Sequence, residues 1–144
     1  MERQVESLLR GTQFKQLLEN YIRGLRDKYG LKRTEIEVLY YLSHSSGADT
    51  TKDISSSLHM NKGHISQTTE SLCRRGYLSA SRDETDNRVV HFTLTEEARR
   101  VTEEIEFAIK KLYQTLFEGI SEEDRRTLAR IASRMADNIR KILP

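Results

Sequence analysis

Apolar positions in the first third of the chain recur at intervals of three and four residues. From Val5 to Tyr29 this spacing predicts one helix with a broad apolar face, and Gly30 is suited to end it. A second apolar set, beginning at Ile36, predicts a short buried helix that runs to about Ser45. The segment after it, SSGAD, has the composition of a loop.

Two further short helices have recognisable starts. Thr50 and Asp53 resemble a capping box, and Asn61 can cap the next helix, which Gly76 would stop. The core side of this second helix is predicted to consist of Ile65, Thr69 and Leu72. Small and hydrogen-bonding side chains are then left at its exposed N-terminal end, namely Lys62, Gly63, His64, Ser66 and Gln67.

After Gly76 the apolar period changes to two. Leu78 and Ala80 alternate with serines, and a second alternating segment holds Val90, Phe92 and Leu94, so two strands of a hairpin are predicted. Beyond the hairpin, two amphipathic patterns predict a long helix after Thr95 and a last helix after Ser121, each with acidic residues in its first turn.

Helices followed by a hairpin in this order predict a mainly α fold with a small β-hairpin wing, a winged helix-turn-helix. An isolated hairpin is marginally stable, so a charged loop at its tip is better suited to reach a partner than to build a core. We expect Arg88 at the tip to enter a DNA minor groove, where the negative potential is strong. Asp86, two residues earlier, is placed to orient its guanidinium.

Composition narrows this picture without identifying the partner. The 144 residues suit one ordinary domain, and the formal net charge of +2 is too small to signal nucleic-acid binding. Six Lys or Arg stand against five Asp or Glu between Thr50 and Leu94, so the distribution over faces matters more than the sum. The single cysteine excludes an intrachain disulfide, and the absence of an apolar run of about 18 residues predicts a cytoplasmic protein that does not span a membrane.

With these segments the chain resembles the MarR family of winged-helix transcriptional regulators. The resemblance rests on GLKRTEIEVLYYL, on TTKDISSSLHMNKGHISQTTESLCRRGYL and on the wing DETDNRVVHFTLT leading into EEARR. It implies a single MarR-type domain over residues 1–144, with a DNA-binding lobe at 31–94 and helical dimerisation regions at 1–30 and 95–144. The DNA-contacting residues it implies are Thr50, Lys62, Gly63, His64, Ser66, Gln67, Arg74, Arg82, Asp86 and Arg88.

The resemblance also implies partners and a mode of control. Members are homodimers, so double-stranded operator DNA with a pseudo-palindromic sequence is the expected partner. Many members respond to a small aromatic or phenolic effector. Ser66 and Gln67 depart from the family by standing where a Thr-Arg pair is common, and Gln67 suits an adenine edge better than a guanine. Lys32 stands where a capping Ser or Thr is usual.

Other interpretations of single residues stay open. Cys73 is either a half-buried packing residue or a redox sensor beside Arg74 and Arg75. The tyrosines Tyr21, Tyr40, Tyr41 and Tyr113 either pack in a core or line a ligand pocket. The four histidines (His44, His59, His64 and His91) lack the spacing of a preformed zinc site, so neither a metal nor another cofactor is expected.

Two other classes of function compete with DNA binding. An enzyme has little support, because the sequence has no glycine-rich phosphate loop and no exposed nucleophile motif. A winged helix that binds a protein instead of DNA is the remaining alternative, and the steep salt dependence of phosphate contacts would distinguish the two.

Overall fold

A computed structural model describes residues 3–143, which form seven helices and one two-stranded antiparallel sheet. The prediction of a mainly helical winged helix-turn-helix fold is confirmed. The elements are α1 (Arg3–Leu9), α2 (Thr12–Tyr29), α3 (Arg33–His44), α4 (Thr51–Leu58), α5 (Lys62–Arg74), β1 (Leu78–Arg82), β2 (Val90–Leu94), α6 (Glu96–Leu116) and α7 (Glu122–Arg140). The chain divides into two compact units, Met1–Lys110 and Lys111–Pro144.

The single N-terminal helix predicted from Val5 to Tyr29 is wrong, because the structure has two helices there. Gly11 adopts a left-handed conformation, with φ of 70°, between α1 and α2. Glycine has no Cβ and takes up this conformation at little cost, so the chain turns there although the apolar spacing continues through it. The end of α2 is as predicted, with Gly30 left-handed at φ 61°.

Helix α3 begins without a capping side chain at Lys32. An ammonium group has no acceptor for a backbone N–H, so the usual serine or threonine cap is missing. The carboxylate of Glu35 instead accepts a hydrogen bond from the backbone nitrogen of Lys32, at 2.8 Å. This is the second half of a capping box, and it fixes the start of the helix from inside its first turn.

The core of the first unit lies between α2, α3, α4, α5, the wing and the first part of α6. Ile54 of α4 and Ile65 and Leu72 of α5 are completely buried, and Thr69 is 2% exposed. The core face predicted for α5 is therefore confirmed. Since that face is packed inward, the opposite side of α5 is left on the surface.

The two strands of the wing pair in the expected hairpin. Leu78 lies opposite Leu94, and Arg82 lies opposite Val90 at the far end. Burial does not follow the alternation along β1, where only Leu78 is buried and Ala80 is exposed. The base of the wing is thus packed against the core, and the outer half of β1 is exposed to solvent while the outer half of β2 is half-buried. An exposed outer edge suits a reaching element.

The second unit contains the end of α6 and all of α7. Arg125 donates hydrogen bonds to the backbone oxygens of Phe117 and Ile120, at 2.8 and 3.1 Å, and its guanidinium lies 5.2 Å from the centroid of the Phe117 ring. Ser121 caps α7 by accepting from the backbone nitrogen of Asp124. No residue of α7 is buried, so its apolar face is exposed.

Candidate nucleic-acid interface

The N-terminal half of α5 projects a row of exposed side chains. Lys62, Gly63, His64, Ser66 and Gln67 are all exposed, as predicted, while Ile65 between them is buried. A helix anchored on one side and bare on the other has the geometry of a recognition helix, whose N-terminal residues can reach base edges in a major groove. Their contacts with DNA stay predictions.

Two caps fix the turn that precedes these residues. The Asn61 side chain accepts from the backbone nitrogen of His64 at 2.7 Å, which starts α5. At the start of α4, Asp53 accepts from the backbone nitrogen of Thr50 and donates its own backbone N–H to the Thr50 hydroxyl, at 3.1 and 3.2 Å. The Thr50 hydroxyl also donates to Asp53 at 2.6 Å. Thr50 is half-buried, and its hydroxyl is already engaged in capping α4.

Arg74 lies on α5 with an acidic neighbour that the sequence reasoning missed. Its guanidinium is 3.3 Å from the carboxylate of Glu70, one turn earlier, and both side chains are exposed. By helical spacing Glu70 shares the exposed face with Ser66 and Arg74. The i, i+4 spacing of Glu70 and Arg74 was the signal available in the sequence. The pair reduces the positive charge that this face presents.

The wing loop is organised by its own acidic residues. Asp83 accepts from the backbone nitrogens of Thr85 and Asp86, at 2.9 and 3.0 Å, and from the Thr85 hydroxyl at 2.7 Å. Asp86 accepts from the backbone nitrogen and Nε of Arg88, at 3.1 and 3.2 Å. The expected contact between Asp86 and Arg88 is present. The Arg88 side chain is nevertheless 91% exposed. Asp86 therefore orients the guanidinium while leaving it accessible to solvent.

Arg82 stands at the outer end of β1 and is the second cation of the wing. Its guanidinium donates to the backbone oxygen of Asn87 at 2.7 Å, across the loop from Arg88. Both arginines therefore lie at the tip of the hairpin, and both are exposed. This arrangement places two positive groups on a loop whose carboxylates are largely engaged with the loop itself.

At the inner side of the wing, His91 lies between two carboxylates. Its ring nitrogens are 2.5 Å from Asp49 and 2.8 Å from Asp83. Hydrogen bonds to Asp49 and then Asp83 raise the pKa of His91 above its ordinary value. Hydrogen bonds from His91, Thr85 and nearby backbone groups hold the pKa of Asp83 far below the usual range. No local pattern in the sequence indicates this cluster, since Asp49 is distant from His91 along the chain.

A buried carboxylate anchors the other end of α5. Glu35 is 3% exposed and accepts from the Ser71 hydroxyl at 2.8 Å and from the guanidinium of Arg75 at 3.2 Å. Arg75 also donates to the backbone oxygens of Tyr29 and Gly30, at 2.6 and 3.1 Å. Arg75 is thus committed to the α2–α3 connection. These contacts hold the C-terminal half of α5 against the start of α3.

Of the cysteine and the four tyrosines, all but Tyr113 are half-buried. Cys73 is half-buried and lies against the core, and burial raises the pKa of its thiol, which disfavours the reactive thiolate. Tyr40 and Tyr41 also pack against the core. Tyr21 is half-buried and Tyr113 is 45% exposed. Within residues 3–143, no cluster of three or more His, Cys, Asp or Glu side chains is arranged to hold a metal ion.

The first unit has a small cleft between the end of α3, β2 and the start of α6. It has a volume of about 250 Å³ and is lined by residues that include Ser43, Asp49, Phe92 and Arg99. None of the four tyrosines is among its lining residues. Pockets that hold drug-sized molecules are commonly about 300 to 1,000 Å³, so this cleft suits a small ligand at most. Among the described helices, none is long and apolar enough to cross a membrane.

Comparison with known proteins agrees with this geometry. Residues 31–98 match the winged helix DNA-binding domain family. The uncharacterized HTH-type transcriptional regulator YdgJ of Bacillus subtilis (strain 168) is 24% identical over 113 residues, which are 78% of this chain and 68% of that protein.

Two solved structures share the fold over nearly the whole chain. A MarR transcriptional regulator from Methanosarcina mazei Go1 has a TM-score of 0.75 and 23% identity, covering 94% of this chain and 99% of that one. BpsR of Bordetella bronchiseptica, whose DNA binding is regulated by 6-hydroxynicotinic acid, has a TM-score of 0.73 and 25% identity, with coverages of 93% and 99%.

Residues 31–98 are therefore similar to winged helix DNA-binding domains, and they fold as a helix-turn-helix with a wing. The fold of the chain as a whole is that of the MarR regulators, which confirms the resemblance seen in the sequence, and the protein is a DNA-binding transcriptional regulator.

Proposed function

We propose that this protein is a homodimeric repressor that binds a pseudo-palindromic operator and releases it when a small molecule binds. The observation that supports this most directly is the geometry of α5. Its core face is fully buried, and its N-terminal half carries Lys62, His64, Ser66 and Gln67 in the open. These residues would enter the major groove, and Arg88 would enter the flanking minor groove.

Each side chain has a role that follows from its chemistry. Lys62 and Arg82 would contact phosphates, which position the protein but carry no sequence information. Gln67 can donate to and accept from the same base, so it is matched to the N6 and N7 atoms of adenine. Glu70 is an acceptor on the same face, and its carboxylate suits the amino group of cytosine. In this role the protein binds without catalysing a reaction, and it would act in the cytoplasm.

The proposed dimer is supported by exposed apolar side chains on the terminal helices. Leu128, Ile131, Met135 and Ile139 of α7 are between 37% and 54% exposed. Val5, Leu8 and Leu9 of α1 are exposed as well. Soluble monomers rarely leave contiguous apolar faces of this kind open to water. A twofold dimer would cover such faces and would place two recognition helices one helical turn of DNA apart.

Control by a small molecule is supported by the likeness to BpsR, whose DNA binding responds to 6-hydroxynicotinic acid. For this chain we propose an effector of similar class, small and aromatic. A ligand that binds better to one spacing of the two DNA-binding lobes would shift the dimer away from the spacing that meets both half-sites.

The direct test of the proposed function is titration of the full chain onto duplex DNA from around its own gene, in competition with unrelated duplex. We expect at least one segment to be bound in preference, with affinity that falls steeply between two salt concentrations because phosphate contacts release counterions. Equal weak binding to all duplexes would contradict operator recognition. No binding at low salt would favour the alternative of a protein partner.

Arg88→Ala should weaken binding to every duplex by a similar factor. Each phosphate or groove cation contributes about 0.9 to the slope of log affinity against log salt, so a dimer that loses two such contacts should lose about 1.8 from this slope. Arg23→Ala removes another exposed arginine, from α2, and is the matched control. Wild-type affinity and slope in Arg88→Ala would show that the wing assignment is wrong.

Gln67→Ala should change preference more than overall affinity. Loss of a bidentate base contact should reduce discrimination at one base position of each half-site by about 1–3 kcal/mol, measured with duplexes substituted singly at each position. Gln16→Ala, an exposed glutamine on α2, serves as control. An unchanged preference profile would mean that Gln67 does not contact a base.

Ile131→Glu should separate the dimer. A carboxylate placed twice in a twofold apolar interface should raise the dissociation constant by about a hundredfold, measured as the mass in solution over a dilution series. Ser133→Glu adds the same charge to another side of α7 and should stay dimeric. If the wild type is monomeric at all concentrations, or if both variants behave alike, the α7 interface is ruled out.

A further inference from the structure

The outer half of the wing holds a cluster in which one histidine joins two segments distant in sequence. His91 comes from β2, Asp83 from the start of the wing loop, and Asp49 from the connection that leads into α4. The Nδ1 atom lies 2.5 Å from Asp49 Oδ1 and the Nε2 atom 2.8 Å from Asp83 Oδ2. About a third of the His91 side chain is exposed, at 32%, so the ring is partly shielded from solvent.

Both contacts together require a particular protonation state of the ring. A neutral imidazole has one N–H and one lone pair, so it can donate to only one of two carboxylates and would repel the other. An imidazolium donates from both nitrogens. Asp83 stays ionised because its pKa is held far below the usual range, mainly by its bond to His91. The observed geometry is therefore that of a cation between two anions.

The cluster connects the wing loop to the helix-turn-helix. The other oxygen of Asp83 shapes the loop through Thr85 and Asp86, and Asp86 in turn directs Arg88. Asp49 precedes the cap of α4, and its backbone oxygen accepts from Phe92 N at 3.1 Å. An isolated bridge pairs Thr50 with His91. These backbone contacts hold the middle of β2, and the His91 ring adds the link to the loop that carries Arg88.

We propose that His91, as an imidazolium held between Asp49 and Asp83, is the positioning residue that sets the angle of the wing, so that DNA affinity falls when this proton is lost. The inference rests on the proposed role of the wing in DNA binding. His91 itself has no direct part in reading or in phosphate contact. Its effect would pass through Asp83 and the loop to Arg88.

The direction of the pH effect follows from the groups that face the ring. Asp49 and Asp83 contact the ring. Asp53, at the start of α4, has a lowered pKa, mainly because of hydrogen bonds from Thr50 and to a smaller extent because of the nearby His91. The bonds to Asp49 and Asp83 raise the pKa of His91. The contribution of the contact is thus complete below about pH 6.5, the ordinary histidine value, and is lost as pH rises through the raised value.

Loss of the proton has two effects of the same sign. One of the two hydrogen bonds of His91 breaks, which loosens the wing loop. The cluster of His91, Asp49 and Asp83 also loses its positive charge, so it becomes more negative beside the DNA phosphates. A charge-assisted hydrogen bond is typically strong enough that its loss changes an equilibrium by about tenfold. Wild-type affinity should fall by about this factor between about pH 6 and about pH 9 at fixed ionic strength.

Four variants of the full chain separate His91 from other titrating groups. His91→Gln should bind more weakly than wild type at about pH 6 and should lack most of the further fall at higher pH. Asp49→Asn removes one anion and should move the transition to lower pH. His44→Gln, at an exposed histidine of α3, should follow the wild type. His64→Gln tests the histidine on α5. If the fall of DNA affinity with rising pH disappeared in His64→Gln but persisted in His91→Gln, the inference would be overturned.

A measurement without DNA distinguishes failure of this inference from failure of the proposed function. The ring protons of His91 can be titrated by NMR in the free protein, together with exchange of the wing-loop amides. We expect the midpoint of His91 to lie above the ordinary histidine value and to be lowered by Asp49→Asn, and we expect the wing-loop amides to exchange faster above this midpoint. An ordinary midpoint for His91 in the wild type would overturn the proposed role of His91 even if the protein binds DNA. A raised midpoint with no duplex binding at about pH 6 would instead reject the DNA-binding role of the wing.

Discussion

The carboxylate of Glu35 is the constraint on which the placement of the recognition helix depends. A carboxylate that is 3% exposed must be matched by donors, and here Lys32 N, Ser71 and Arg75 supply them. One group thereby starts α3, holds the end of α5 and, through Arg75, closes the α2–α3 connection. Truncation of Arg75 would leave the buried charge of Glu35 without its countercharge, and loss of one partner of a buried ion pair commonly costs about 3–5 kcal/mol. The rigid C-terminal half of α5 leaves its N-terminal half as the part that projects.

This division of α5 explains how a chain with so little net charge can hold a DNA-binding surface. The inward face of α5 is formed by Ile65, Thr69 and Leu72, which pack in the core. The side chains on the outward face can therefore be small and polar. On that face Glu70 offsets Arg74. In the proposed complex with DNA, base-specific hydrogen bonds would take the place of dense positive charge. The surface is therefore better matched to selective than to tight non-specific binding, because the latter depends mainly on the number of cations.

Local patterns in the sequence were enough to predict most of the helices and strands, but they did not predict the contacts between distant residues. The caps at Thr50 and Asn61 and the inward face of α5 follow from spacings of three and four residues, and they are confirmed. The break at Gly11 was missed because the apolar period continues across it. The pairs Glu35–Ser71 and Asp49–His91 span 36 and 42 residues, and no periodicity indicates which polar side chains will meet after folding.

The acidic wing loop shows why counting charges along a segment is a poor guide to its electrostatics. Asp83 is occupied by the turn and by His91, and Asp86 by Arg88, so both carboxylates act on the loop that contains them. In the proposed complex with DNA, the repulsion between these carboxylates and the phosphates would be offset by the orientation that Asp86 gives to Arg88. An arginine held in one direction loses less conformational entropy on binding. Asp83 is shared between the turn and the His91 ring. Loop order and ring protonation are therefore coupled through a single carboxylate, and any change in one must change the other.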